Sequence, residues 1–236
     1  LLGYASHANL ILEERMAEKP GKVYQLLDEL LEHALPVAKK EMKEIQELSN
    51  RLNGPSPIER WDFSYYSEKL KNEKFAINDE ILKPYFQLEK VIDGAFITAK
   101  KLYVITFHKL DIIQYYHEDV ITYTVKDKYG KHLSVFYADF FPRPGKRDGA
   151  WMTSFSGQNK YDGIDTRPLV SIVCNFTKPT DTKPSLLTFG EVTTLFHEFG
   201  HALHGMMANG HYESLSGTSV YWDFVELPSQ LMENWC

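Results

Sequence analysis

The sequence predicts a mainly α-helical protein with one small β-sheet. Apolar residues recur at spacings of three and four through most of residues 1–117, as in the run that contains Leu26, Leu27 and Leu30, and this is the period of an amphipathic helix. Near residue 118 the pattern changes to apolar and polar residues in alternation, which is typical of strands. Helical spacing then returns around "FHEFGHALHG". We therefore expect a helical region at 1–117 and a region at 118–236 that combines a small sheet with further helices.

The helical region is predicted to contain four helices. Two lie between Leu1 and about Asn53 and are separated near Gly21, which follows a proline. The loop "NGPSP" comes next, and helical spacing resumes in "IERWDFSYYSEKLKNEKF". A further helix is predicted from Pro84 to Leu102.

The alternating part of the chain predicts a hairpin and two further strands. Residues Val120 to Val125 are rich in β-branched and aromatic side chains, and they are expected to pair with Leu133 to Phe140 across the turn "KDKYGK". The segments "AWMTSF" and "RPLVSIVCNFT" have the same character and are predicted as strands. A small sheet therefore precedes the histidine-rich segment.

A long helix is predicted over "PSLLTFGEVTTLFHEFGHALHGMMANG". Thr188 and Glu191 have the spacing of a capping box at its start, and the Asn-Gly pair at 209–210 is a typical stop. Gly200 and Gly205 each cost about 1 kcal/mol relative to alanine inside a helix. We therefore expect another segment to pack closely at those two turns.

Composition argues against several classes of partner. Twenty-six lysines and arginines against 32 acidic residues give a net charge of -6, which leaves no basic excess to neutralise a nucleic-acid backbone. No apolar run approaches the roughly 18 to 20 residues that cross a bilayer, so a membrane is not an expected partner either. Cys174 and Cys236 are the only cysteines, too few for a disulfide framework or a cysteine-based zinc ribbon.

The segment "LFHEFGHALHG" carries the pattern H-E-x-x-H. His197 and His201 are four residues apart, so on a helix both imidazoles project from one face within reach of a single metal ion, and Glu198 lies beside the first. The alternative is a pair of core or surface histidines on an amphipathic helix. The helical context favours the metal site.

Two further histidines lie close to this pattern. His204 follows His197 by seven residues, or about 10.5 Å along a helix axis, and imidazoles that far apart cannot share an ion whose Zn–N bonds are about 2.0 to 2.1 Å. We expect His204 to pack against the site or to support it. His211 lies beyond the predicted helix end and has no assigned role.

The third ligand is expected from the segment "VYWDFVELPSQLMENW", which predicts a second helix that Pro228 either kinks or starts. A carboxylate from this helix suits a site built from two histidines and one glutamate. Spacing alone leaves Asp223, Glu226 and Glu233 as alternatives.

The run "FHEFGHALH" followed by "SLSGTSVYWDFVELPSQLMENW" closely resembles the family of zinc metallopeptidases that includes thimet oligopeptidase, neurolysin, oligopeptidase A and bacterial peptidyl-dipeptidase (dipeptidyl carboxypeptidase). The resemblance extends along the whole chain, through "LLGYASHANLILEERMA", "ERWDFSYYSEKL" and "FFPRPGKRDGAWMTSFSGQ". It implies a neurolysin-like zincin (gluzincin) catalytic domain. We expect the chain to be an internal fragment of such an enzyme, because it starts at Leu1 rather than Met and stops within a helical pattern.

The resemblance also implies the composition of the site. In that family the two histidines of H-E-F-G-H and the glutamate of D-F-V-E hold one zinc ion, which carries over to His197, His201 and Glu226. Glu198 carries over as the general base that takes a proton from the attacking water. In the resembled enzymes, tyrosines and a histidine of a later loop help to stabilise the oxyanion, and this chain ends before that loop.

The function implied is zinc-dependent hydrolysis of short peptides with release of C-terminal dipeptides, as by the bacterial peptidyl-dipeptidases. One alternative is an endo-acting oligopeptidase of the same family. Another is that this chain alone is a zinc-binding but catalytically incompetent fragment, since the oxyanion loop is missing. We expect a cytoplasmic, monomeric protein whose partners are short peptides.

A few residues around the site are further candidates. Gly149 and Ala150 leave backbone accessible where an extended peptide could add to an edge strand, although an ordinary strand explains them equally well. Ser216 and Gly217 could line the cleft or form a plain loop between helices. Asp223 could orient a liganding imidazole or cap a helix.

Overall fold

A computed structural model describes residues 3–111 and 115–236. The chain divides into two compact units, Leu1–Ile81 and Leu82–Cys236. Leu1 and Leu2, with which the predicted helical region begins, lie outside the described residues. The predicted domain division after residue 117 marks a change from helical to strand patterning and stays a prediction.

The first unit is helical. Its elements are α1 (His7–Leu12), α2 (Pro20–Arg51) and α3 (Phe63–Phe75). Helix α2 begins at Pro20, a position where the missing amide hydrogen removes no helical hydrogen bond. Bidentate contacts from Arg51 to Glu73 link α2 to α3. The predicted break near Gly21 and the loop after α2 are thus confirmed.

The remaining elements mix helices and strands. They are α4 (Asp79–Leu82), α5 (Leu88–Tyr103), β1 (Thr106–Lys109), β2 (Ile121–Lys126), β3 (His132–Asp139), β4 (Trp151–Ser156), β5 (Leu169–Val173), α6 (Phe189–Met206) and α7 (Leu227–Glu233). Helix α5 starts later than the predicted Pro84, which lies in a separate 3-10 turn. The intervening chain pairs elsewhere, because Phe86 and Leu88 exchange backbone hydrogen bonds with residues 185–187.

The five strands form one mixed sheet in the order β1-β2-β3-β5-β4. Strands β2 and β3 form the predicted antiparallel hairpin, β5 runs parallel to β3, and β4 pairs antiparallel with β5. The sequence did not predict β1, a strand of four residues that follows α5 almost directly. Strand β4, which carries "WMTSFS", lies at one edge of the sheet, and β1 lies at the other.

Helices α5 and α6 cover the sheet and supply its core. Phe136 of β3, Phe199 of α6 and Phe107 of β1 lie with ring centroids 5.6 to 6.1 Å apart. Leu203 and Met206 extend the same apolar face of α6 and are 2% and 0% exposed. Burial of this stripe holds α6 against the sheet with its opposite face free for chemistry.

Local side-chain chemistry determines where α6 and α7, the two helices that carry the site, begin. The capping box at α6 is confirmed, since Thr188 Oγ1 accepts from Glu191 N and the Glu191 carboxylate accepts from Thr188 N. Helix α7 begins at Leu227 and not at Val220, which confirms the predicted alternative that Pro228 starts the helix and does not kink it. Pro228 is the reason, because a proline fits the first turn of a helix but not its interior. Among the described residues, no helix combines the length and apolarity that a bilayer crossing needs.

Candidate metal centre

Three side chains converge on one point between α6 and the turn that precedes α7. Nε2 of His197 and Nε2 of His201 lie 3.2 and 3.1 Å from the same carboxylate oxygen, Oε2 of Glu226. One ligand atom from each of the three residues lies within 4.8 Å of the other two. The structure therefore brings together two residues that are four apart on a helix and a third from a separate segment.

Close packing of backbone brings the third side chain to this point. A Cβ atom on Gly200 would lie 2.6 Å from the carbonyl oxygen of Pro228 and 2.7 Å from Cα of Ser229, so only glycine lets α7 approach α6 this closely. This contact confirms the expectation that a segment packs against Gly200. It places Glu226, the residue just before α7, beside the two histidines of α6.

The donor set and its spacing fit a divalent ion such as zinc. Bonds of about 2.0 to 2.1 Å at tetrahedral angles separate neighbouring ligand atoms by roughly 3.3 Å, close to the 3.1 and 3.2 Å between the carboxylate oxygen and the imidazole nitrogens. Two histidines and one carboxylate leave a fourth coordination position for solvent or substrate, as in catalytic zinc sites.

Hydrogen bonds orient two of the three side chains. Oε1 of Glu233 lies 2.7 Å from Nδ1 of His197, which leaves Nε2 of that ring directed at the centre. Ser229 Oγ donates to Oε2 of Glu226 at 2.7 Å. Nδ1 of His201 is buried and has no hydrogen-bond partner among the described residues.

The electrostatics of the site follow from burial and mutual proximity. Burial raises the pKa of Glu198, which is 7% exposed, and nearby Glu226 adds to the rise while His197 opposes it. Burial lowers the pKa of His201 and so favours the neutral, metal-binding form. Burial acts to raise the pKa of Glu226, but the Ser229 hydrogen bond and the two imidazoles outweigh it and keep that pKa below its ordinary value.

The centre opens into a cleft of about 460 Å³. One wall is the start of the edge strand, at Ala150, Trp151 and Met152, and another is formed by Thr218 and Val225. Gly149 precedes that strand with φ +94°, a conformation that other residues rarely adopt. The start of β4, which pairs with β5 alone among the described residues, therefore borders the three converging side chains.

The other sequence candidates lie at different distances from the centre. His204 is half-buried, and its ring centroid lies 6.3 Å from that of Phe224. It is not one of the three side chains that converge. His211 contributes its carbonyl oxygen to a hydrogen bond from Lys160 N. Ser216 and Gly217 line a neighbouring cavity rather than the metal cleft. The orienting role considered for Asp223 stays a prediction.

Glu233 was considered as a ligand, and its place beside Nδ1 of His197 was not foreseen. A signal for it exists in the sequence, since Glu233 follows Glu226 by seven residues, which is about two helical turns. Residues so spaced share one face of a helix. Only the packing of α7 on α6 shows which ring that face meets.

The chain belongs to peptidase family M3, whose model matches residues 1–236. Oligopeptidase A of Escherichia coli is 41% identical over 238 residues, which cover 100% of this chain and 35% of that protein. Dipeptidyl carboxypeptidase of Salmonella typhimurium is 40% identical over 236 residues, which cover 100% of this chain and 34% of that protein. The chain thus spans about a third of the length of the curated relatives it matches.

Proposed function

We propose that this chain carries the zinc centre of a peptidase that hydrolyses short peptides. The observation that carries the proposal is the convergence of His197, His201 and Glu226 within 4.8 Å beside a buried glutamate, Glu198, at the end of a cleft. Membership in the peptidase family and the names of the two relatives support peptide substrates. We further propose the gluzincin arrangement, with two ligands on α6 and the third just before α7.

A zinc ion held by these residues would lower the pKa of a water and polarise the scissile carbonyl. Glu198 would accept the proton that the water loses as its oxygen bonds to the carbonyl carbon. Because burial raises its pKa, Glu198 is suited to hold that proton and then donate it to the leaving amine nitrogen as the C–N bond breaks. One water is consumed, and one carboxylate and one amine result.

Strand β4 would position the substrate. Alternate residues of an edge strand direct their N–H and C=O groups outward, and an extended peptide can pair with them in register. The start of β4, from Ala150 to Met152, borders the same cleft as Glu198. A peptide added there would lie alongside the metal centre, and folded proteins would not fit because their backbones are already paired.

The experiment measures cleavage of one quenched peptide by the unchanged protein and by three variants. The zinc content of each form is measured alongside. Glu198→Gln should retain zinc and lose turnover by about 10²- to 10⁴-fold, the usual contribution of a general base. Glu226→Ala should lose zinc. Glu89→Gln, an exposed change at the start of α5, is the matched control. Full turnover in zinc-loaded Glu198→Gln would show that the assignment of the base is wrong.

The relatives are about three times as long as this chain, so turnover should be measured for the chain and for the complete gene product. Activity only in the longer polypeptide would support the view that this chain binds zinc without completing the catalytic site. Zinc binding without turnover in both would contradict the proposed function.

Release of C-terminal dipeptides is the narrower proposal, and internal cleavage is the second candidate. The chain is about equally identical to an oligopeptidase A and to a dipeptidyl carboxypeptidase, so the comparisons favour neither mode of cleavage. Mass spectrometry of the products from a peptide of nine residues separates them. Successive losses of two C-terminal residues are expected, and they should stop when the C-terminus is amidated. Cleavage that ignores amidation would contradict dipeptide release.

A further inference from the structure

A second cavity, of about 340 Å³, lies beside the metal cleft, and we call it the Glu213 pocket. It follows strand β4 toward its C-terminal end, and its lining includes Ser154, Gly157, Glu213, Ser216, Thr218 and Ser219. Met152 and Thr218 line both cavities, so the two are neighbours along the same strand edge. A peptide that lies beside the metal centre along β4 would therefore pass the pocket.

A buried glutamine fixes one wall of the pocket. Gln158 is 1% exposed, and its Oε1 accepts from Gly210 N at 2.6 Å and from Ser216 Oγ at 2.8 Å. Its Nε2 donates to the carbonyl oxygen of Gly210 at 2.9 Å. These three bonds hold the segment 210–216 against the chain that leaves β4. The pocket is therefore a built feature rather than a gap between loose loops.

Glycines keep the pocket hollow. A Cβ atom on Gly157 would lie 2.4 Å from Cγ of Glu213, and one on Gly205 would lie 2.6 Å from Cε of Met152. The absence of a Cβ atom on Gly157 lets the Glu213 side chain lie against the end of β4, and its absence on Gly205 leaves room for the Met152 side chain. There, Gly157 N donates to Oε1 of Glu213 at 2.9 Å and fixes the carboxylate at the wall.

The carboxylate of Glu213 has no counterion in the part of the chain that the structure describes. Among the described residues that line the pocket, Glu213 is the only one with a charged side chain. Within residues 3–111 and 115–236, no lysine or arginine forms an ion pair with it, and its second carboxylate oxygen, Oε2, accepts no hydrogen bond. One carboxylate oxygen is thus free to accept from a bound group, and serine and threonine hydroxyls lie around it.

We propose that the Glu213 pocket is a substrate subsite that binds a cationic group of the peptide lying along β4. The inference rests on the proposed function and names the class of substrate: peptides that carry an ammonium or guanidinium group at a fixed distance from the scissile bond. Met152 and Ser156 are four residues apart on β4, or about 13 Å. The cationic group therefore belongs two to four residues from the bond that is cut.

The cation can be the free amino terminus of a short peptide or the side chain of a lysine or arginine. Both offer hydrogen-bond donors with a positive charge, which a carboxylate held by one backbone N–H binds with its remaining oxygen. Because Glu213 is exposed, the gain is that of a surface ion pair. Such pairs correspond to about a 2- to 5-fold difference in affinity.

The test measures dissociation constants by fluorescence anisotropy for peptides that cannot be cut, because the protein carries Glu198→Gln. Lysine and its uncharged isostere norleucine are compared at each position within five residues of the scissile bond, and free peptides are compared with N-acetylated ones. A 2- to 5-fold preference for the charged member is expected at one position only. The pair that shows it identifies the terminus or the side chain as the source.

Variants of Glu213 then assign the preference. Glu213→Gln should bring the ratio of the two dissociation constants close to one, and Glu213→Lys should reverse it in favour of peptides with glutamate at that position. The matched control Glu89→Gln should leave the ratio as it was. Equal binding within every pair, lysine against norleucine at each position and free against N-acetylated peptide, would overturn the proposal, as would an unchanged ratio in Glu213→Gln.

The subsite and the proposed function can each be rejected without the other. Cleavage of the norleucine peptide by the protein with Glu198 intact, without any charge preference in binding, would reject the subsite alone. A charge preference that depends on Glu213, found in a zinc-loaded protein that cleaves no peptide, would support the subsite and reject the peptidase.

Discussion

Glu233 and Glu226 hold opposite edges of one imidazole ring. Oε1 of Glu233 lies 2.7 Å from Nδ1 of His197, while Oε2 of Glu226 lies 3.2 Å from Nε2 of the same ring. A carboxylate on Nδ1 keeps the hydrogen there and leaves the Nε2 lone pair for a metal. The ring is therefore oriented by a residue about two helical turns beyond Glu226.

Removing this orienting carboxylate should weaken metal binding. Glu233→Gln is expected to lower zinc affinity by about 10- to 100-fold, since the neutral amide no longer supports the ring in the same way. Competition with a chromophoric chelator measures the change, and Glu89→Gln serves as control. If Glu233→Gln binds zinc as tightly as the unchanged protein, the contact has no part in holding the metal.

Substitution of Gly200, where α6 and α7 cross, should lower both stability and zinc affinity. Gly200→Ala places a Cβ 2.6 Å from the carbonyl oxygen of Pro228, so α7 must move and the free energy of unfolding should fall by about 1 to 3 kcal/mol. Zinc affinity should fall with it, because Glu226 moves too. Urea unfolding and zinc titration check both effects.

Gly94 is the matched control for this substitution. It lies inside α5, and no heavy atom lies within 4 Å of a Cβ built there. Gly94→Ala should therefore stabilise the protein by about 0.4 to 1 kcal/mol. If Gly200→Ala behaves like Gly94→Ala, the close approach of α7 is not what glycine is needed for.

A buried cluster of ion pairs at the end of β3 should make the free energy of unfolding depend on pH. Arg143 and Lys146 both bind the carboxylate of Asp139, whose side chain is 2% exposed. Burial acts to raise the pKa of Asp139, but these partners and Tyr116 outweigh it and hold the pKa below its ordinary value of 3.8. The stabilisation is thus fully present above 3.8 and is lost as the pH falls through the lower folded-state pKa.

Asp139→Asn should expose this dependence. At pH 7 it leaves two cations without their partner, one of them buried, and should cost about 3 to 5 kcal/mol. The difference in free energy of unfolding between the two proteins should stay constant above about pH 5 and shrink at lower pH. Urea titrations across that range measure it. A difference independent of pH down to about 2.5 would contradict a role for the charge.

The capping box of α6 gives a smaller effect. Thr188→Ala removes the side-chain acceptor of the Glu191 amide and should cost about 1 kcal/mol in the free energy of unfolding. Thr194→Ala, within the same helix, should cost much less, because alanine favours the helix interior. Equal losses in the two variants would show that the cap does not stabilise α6.

What could be predicted from the sequence depended on local contacts. The spacing of His197 and His201, the capping box and the hairpin of β2 and β3 all involve residues that are close in the chain. The parallel pairing of β5 with β3 was not predicted, because it joins segments about 30 residues apart and no local pattern encodes a partner.

The choice of the third carboxylate shows the same limit. Asp223, Glu226 and Glu233 fall within one segment, and each was within reach of the histidines by spacing alone. Two facts separate them: Pro228 delays the start of α7, and Gly200 decides where α7 meets α6. The second is a contact between helices, which helical periodicity does not encode, so the resemblance to known peptidases was needed to choose Glu226.

Glu226 and the two histidines come from different segments of the chain. An ion bound by all three would therefore link those segments covalently in effect, in addition to any chemical role. It would join the ends of a segment of 25 residues whose middle is held by hydrogen bonds to Gly157 and Gln158. An ion that binds only the folded chain adds about 2.7 kcal/mol to stability when its free concentration is 100-fold above its dissociation constant. The stability of the folded chain would then follow the zinc supply, and metal starvation would lower the fraction that is folded.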